Sequence, residues 1–176
     1  MSQASKHVKW CIDKANKEIS ECEKLGKRKK HRGLLELEPD IKNAKLHLRK
    51  AEHNLKAVIL LEKEGFSDWS ITAGFYTFYH CFLAIASKFG YESGNQSCTI
   101  SLIEYLVEQG KIDIDKKYVD MLKYADSEDK KEESVIDMRE EFTYGIKISP
   151  DNGSQIRGLV DDCQNIIEIT KEIIFQ

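Results

Sequence analysis

His80 ends the aromatic run Phe75-Tyr76-Thr77-Phe78-Tyr79-His80, and by type it is well suited to moving a proton near neutral pH. Within so apolar a segment its simplest role is that of a hydrogen-bonded core residue. His47 and His53 stand six apart, about 240° around a helix, so one metal ion cannot take both. Cys98 precedes an apolar-periodic segment, where a helix N-terminus would lower its thiol pKa, yet no base accompanies it in sequence. The chain has no glycine-rich phosphate loop, no His-Glu-x-x-His and no nucleophile elbow. Two charged stretches remain. Lys27, Arg28, Lys29, Lys30 and Arg32 crowd between Gly26 and Gly33, a cluster that can contact phosphate or simply be a solvated loop. Arg139-Glu140-Glu141-Phe142-Thr143-Tyr144 places a guanidinium five residues before a phenol, inside an acidic stretch (126–141) that otherwise reads as a solvated connector.

These residues sit in a chain of 176 residues and 20.3 kDa, the size of one domain with an appended arm. Its 27 Lys+Arg against 30 Asp+Glu give a formal charge of −3, which excludes the global positive field of a dedicated duplex-DNA binder. Ten glycines and two prolines are too few for a disordered or collagen-like chain. The five cysteines (11, 22, 81, 98 and 163) form no Cys-x-x-Cys pair and lie near no histidine at zinc spacing. They read as free thiols of a cytoplasmic protein, with no metal or cofactor expected. Residues 1–10 lack the apolar core of a signal peptide. The uncharged stretch between Asp68 and Lys88 approaches spanning length. Its Ser70, Thr72, Gly74, Thr77, His80 and Ser87 point to a buried central helix instead of a membrane span.

The elements that must carry these groups are helical. Val8, Ile12, Ala15, Ile19 and Cys22 recur in 4-3-4-3 steps. Ile41, Ala44, Leu48, Ala51, Leu55 and Val58 follow the same period after Pro39-Asp40, and Ile156, Leu159, Cys163, Ile166, Thr170 and Ile173 repeat it near the end. A segment from about residue 67 to 89 is apolar nearly all round, residues 97–109 make a shorter helix, and Tyr118, Met121 and Leu122 mark another. Gly26, Gly65, Gly90 and Gly110 each close a periodic segment, where a left-handed cap suits glycine. No sustained alternating run appears. The expected fold is all-α, an antiparallel bundle of four or five helices with an extra N-terminal helix; residues 1–33 form the arm and its basic loop, and 34–176 the bundle.

Three motifs in order carry a family resemblance. Ala51-Glu52-His53-Asn54-Leu55 through Leu60-Leu61 to Gly65 is similar to the opening helix of HEPN domains. Gly74 through His80, ending in Lys88-Phe89-Gly90, looks like their second helix, and Arg139 with Thr143-Tyr144 resembles their closing motif. The resemblance spans about residues 41–175. It implies a dimerising bundle which, in the active branch, cuts RNA without a metal through Arg-x-x-x-x-His. There Arg binds the scissile phosphate and His moves the proton of the attacking 2′-hydroxyl. By the resemblance Arg139 and Tyr144 are the catalytic positions. Arg139, Thr143, Tyr79 and His80 would bind RNA or nucleotide, helped by Lys29, Lys30 and Arg32 of the basic loop. The implied setting is toxin–antitoxin or defence, beside a nucleotidyltransferase-type antitoxin. This sequence departs from the motif by holding Tyr144 where the family has histidine, and a phenol of pKa about 10 is a poor general base. Glu140 and Glu141 would also repel an RNA backbone. The expectation is weak or no endoribonuclease activity with binding retained; the alternative is a non-catalytic protein-interaction scaffold.

Overall fold

The computed structural model describes residues 2–123, 135–146, 148 and 154–176. Its elements are α1 (Gln3–Lys24), β1 (Leu34–Glu36), α2 (Ile41–Lys63), α3 (Ser67–Lys88), β2 (Tyr91–Ser93), α4 (Gln96–Glu108), α5 (Lys116–Asp120), α6 (Val135–Tyr144) and α7 (Ser154–Phe175). The fold is all-α, as the periodicities require.

Local chemistry sets the helix ends. The Asp40 carboxylate accepts from the Asn43 N–H at 2.8 Å, and Asn95 accepts from the Cys98 N–H at 3.2 Å, each satisfying an orphan first-turn donor. The four glycines expected to close helices all have positive φ, from 61° to 82°. Gly90 is doubly constrained: φ is 77°, and a Cβ there would lie 2.4 Å from the Leu37 carbonyl oxygen. The strap around it is thereby drawn close enough for the Leu37 N–H to donate to Gly90 at 2.7 Å.

α3 is the central post. α2 packs along it most extensively, and α7, α6 and α4 also lean on it. Phe75, Phe78 and Phe82 are fully buried among them. Most of the apolar circumference of α3 is consumed within the chain, while Trp69 and Tyr76 on the same helix stay exposed. On α7, Leu159, Cys163, Ile166 and Thr170 form the buried stripe that their spacing predicts; the Ile156 side chain and Pro150 lie outside the described residues. α1 packs on α4 and β1, beside the α2–α3 pair, and sends Val8 and Cys11 into the same apolar core.

Three features depart from the sequence expectations. First, Leu34–Glu36 and Tyr91–Ser93 pair antiparallel, with Leu34 opposite Ser93 and Glu36 opposite Tyr91. Three residues are too short to show a two-residue period. Second, Cys11 and Cys98 are not free thiols: their sulfurs are bonded at 2.13 Å, with Cα atoms 5.9 Å apart. An 87-residue separation offers no spacing from which to read such a pair. Cys98 is thus no nucleophile here, while Cys22, Cys81 and Cys163 remain free. Third, the acidic stretch is a helix from Val135 onward, because Ile136, Met138 and Phe142 bury their side chains between the charges. Residues 126–134 lie outside the described part.

Candidate functional site

α6 lies on α3 and brings Arg139 over the aromatic post. Its guanidinium carbon stands 4.4 Å above the Phe75 ring centroid, a cation–π arrangement, and Phe75 in turn stacks with Tyr79 at 6.1 Å. The Arg139 side chain is 17% exposed, and among the described residues its Nη2 lies 3.8 Å from Glu140 Oε1. One turn on, the hydroxyls of Thr143 and Thr72 meet at 3.0 Å and tie α6 to α3. Tyr144 is 78% exposed. Five residues along a helix is about 140° of rotation, so Tyr144 leaves α6 on a different side from Arg139.

Among the described residues, two buried side-chain nitrogens have no hydrogen-bond partner: Arg139 Nε and Asn54 Nδ2. Buried donors are almost always paired, so two orphans beside the same helix call for an explanation. Asn54 lines a groove of about 430 Å³ between α2 and α3, with Lys50, Leu61, Trp69, Thr72, Ala73, Tyr76 and His80. Trp69, Thr72, Tyr76 and His80 fall at i, i+3, i+7 and i+11, one stripe of α3. Phe75, which carries Arg139, is the immediate neighbour of that stripe. A larger concavity of about 1100 Å³, between the ends of α3 and α7 and the segment after α4, contains none of the motif residues.

His80 does not reach Arg139. Its Nδ1 lies 3.1 Å from Nδ1 of His47 on α2. Burial pushes the His80 pKa down to about 4, with the His47 and Lys50 charges acting in the same direction. Burial also lowers the pKa of His47. Tyr79 points toward α4: burial raises its phenol above the usual range, against a hydrogen bond with Thr99 that lowers it.

The basic loop is engaged elsewhere. Lys29 pairs with Glu23 at 2.7 Å, an exposed contact that raises the pKa of the ammonium. The Arg32 N–H donates to Glu18 at 2.5 Å, and the Lys30 carbonyl accepts from the Cys22 thiol at 3.7 Å. His31 bonds Glu92 on β2 at 3.2 Å. Lys29, Lys30 and Arg32 thus fold back onto the C-terminal half of α1, and the loop's described contacts involve no residue of α6. The structure brings together Arg139, Thr143 and, through Phe75, Tyr79. It separates them from the basic loop and turns Tyr144 outward. Asn54, Lys50, Trp69, Thr72 and Tyr76 were not singled out as site residues by the sequence reading; Trp69 and Tyr76, aromatic yet 57% and 43% exposed, become notable only once burial is known.

His7, Cys11 and Cys98 place potential ligand atoms within 4.8 Å of one another. The two sulfurs are already bonded to each other, which leaves neither as a thiolate ligand. No helix among the described residues is long and apolar enough to cross a membrane.

A family model, that of the HEPN domain, matches residues 44–174. The chain belongs to the HEPN family. None of the individually curated proteins matches its sequence. The HEPN match opens within the first turn of α2 and closes within the last turn of α7, so it takes in the α3 post, Arg139 and the groove. It leaves out α1, the basic loop and β1, and the Cys11–Cys98 bond ties that preceding segment to α4 of the HEPN unit.

Proposed function

We propose that this HEPN chain is a dimeric RNA-binding module with little or no metal-independent endoribonuclease activity, working in a toxin–antitoxin or defence setting beside a nucleotidyltransferase-type partner. The observation that carries the reading is the state of Arg139. Its guanidinium is held in place by Phe75, and among the described residues its Nε has no acceptor and its contact with Glu140 is long, which leaves donors of the fork for a phosphate. A guanidinium saturated by short bidentate carboxylate contacts would favour the scaffold alternative. Weak cleavage follows from Tyr144, a phenol in the general-base position and turned away from Arg139 within its own protomer.

The test is fluorescence anisotropy of a labelled single-stranded RNA across a salt series, with light scattering on the same samples. Wild type should bind more weakly as salt rises, and Arg139→Ala should lose affinity and flatten the salt slope. The scattering mass should be about 40 kDa, twice the 20.3 kDa chain. Unchanged RNA affinity in Arg139→Ala, together with a lowered thermal midpoint, would make Arg139 structural and return the chain to a scaffold role.

A further inference from the structure

Asn54 is 7% exposed, lines the α2–α3 groove, and carries an amide nitrogen with no acceptor among the described residues. Such a group is costly to bury and is compensated when a ligand supplies the missing acceptor. The surroundings narrow the ligand. Two aromatic side chains, Trp69 and Tyr76, stand exposed two turns apart along α3 and both line the groove. Lys50 contributes a positive charge at the same groove and has no carboxylate partner among the described residues. His80 is kept neutral at pH 7 by its burial, by His47 and by Lys50, so the wall beside the aromatic rings is uncharged. An uncharged wall, stacking faces, one amide donor and one peripheral cation match a flat heteroaromatic ring that bears hydrogen-bond acceptors and is attached to a single phosphate. Every nucleobase has a π-face and at least one such acceptor.

We infer that the groove between α2 and α3 holds one unstacked nucleobase, stacked against Trp69 and Tyr76 and accepting a hydrogen bond from Asn54 Nδ2, with its phosphate on Lys50. This deepens the RNA-binding reading and rests on it. Thr72 belongs to the groove and also bonds Thr143 one turn beyond Arg139, so the base would sit beside the helix that presents the phosphate-binding fork. Arg139 would then engage the backbone and the groove would engage one base of the same strand.

The chain has two tryptophans, so Trp10→Phe leaves Trp69 as the sole indole reporter. Adenosine 5′-monophosphate titrated into that variant should quench Trp69 fluorescence saturably, and ribose 5-phosphate should not. Asn54→Leu, which removes the orphan amide and keeps the volume, should weaken the quenching about tenfold or more while raising the denaturation midpoint. The opposed directions of those two effects separate loss of a ligand contact from loss of fold. Equal quenching by ribose 5-phosphate would overturn the base assignment in favour of a bare phosphate site. Trp69 fluorescence that follows protein concentration and ignores the nucleotide would assign the groove to a second copy of the chain. If the monophosphate has no effect while RNA still binds through Arg139, the groove inference falls and the RNA reading stands. If the monophosphate binds as described while RNA does not, the base site stands and the RNA reading falls.

Discussion

The Nδ1 atoms of His47 and His80 lie 3.1 Å apart across the α2–α3 contact, so one of them must carry a hydrogen and the other a lone pair. The pair therefore holds only while at least one ring is neutral. Both folded-state pKa values are depressed, that of His80 to about 4, against about 6.5 for a histidine in an unfolded chain.

The sign of the pH dependence follows. Between about pH 6.5 and 4 the unfolded chain binds protons that the folded chain does not, so stability falls as pH drops through that window. Chemical denaturation midpoints measured from pH 7.5 to 4 should decline for wild type. His80→Gln should decline less steeply over the same range, since Gln has nothing to titrate. An identical slope in both proteins would show that the pair is not what couples this helix contact to pH.

Phe82 is fully buried on α3 among side chains from several helices. Phe82→Ala removes most of a phenyl ring from a site with little room to relax, at a cost of about 3–5 kcal/mol. Urea denaturation should show the loss as a lowered midpoint with an unchanged slope. A wild-type midpoint would contradict the placement of α3 at the centre.

Cys11 and Cys98 close a loop of 87 residues and tether α1 to α4. By the chain-entropy argument such a crosslink contributes about 3–5 kcal/mol, chiefly by restricting the unfolded chain. Dithiothreitol should lower the thermal midpoint, and Cys11→Ser should do the same and be insensitive to the reductant. Iodoacetamide labelling without reductant should find three thiols under denaturing conditions, Cys22, Cys81 and Cys163. Burial pushes the Cys81 thiol up to about 12 and that of Cys163 higher still, so in the native state only Cys22 should label quickly.

These predictions divide along the line between what is local in sequence and what is not. The α7 stripe and the glycine-closed helix ends were legible because each is written within a few residues. The Cys11–Cys98 bond, the His47–His80 pair and the Thr72–Thr143 contact join residues 33 to 87 positions apart, and no period connects them. α6 was obscured for a different reason: its buried Ile136, Met138 and Phe142 are interleaved with carboxylates that dominate any average over the stretch. Arg139 was legible by family resemblance. Its orphan Nε was not, since an unpaired donor is a property of the packed state. The Asn54 groove escaped for the same reason, as an asparagine on an amphipathic helix carries no mark of having lost its acceptor.

The departure at Tyr144 gives the most direct test of activity. In the family motif the position five residues after arginine supplies a histidine, whose pKa near 6.5 suits proton transfer at neutral pH where a phenol near 10 does not. Tyr144 is exposed on α6, so exchanging it should leave the core intact and the denaturation midpoint near that of wild type. Tyr144→His is therefore expected to raise cleavage of a single-stranded RNA above the wild-type level, with no requirement for added metal and no loss in the presence of a chelator. Adding Arg139→Ala to that variant should abolish the gain, because the phosphate would no longer be held where the new base can act. Within one protomer the two residues diverge by about 140°, so the gain should also track the dimeric fraction as protein is diluted. A gain that survived Arg139→Ala would locate the phosphate-binding group elsewhere. A Tyr144→His protein that binds RNA as wild type does and still fails to cut would show that a histidine at this position is not sufficient for cleavage.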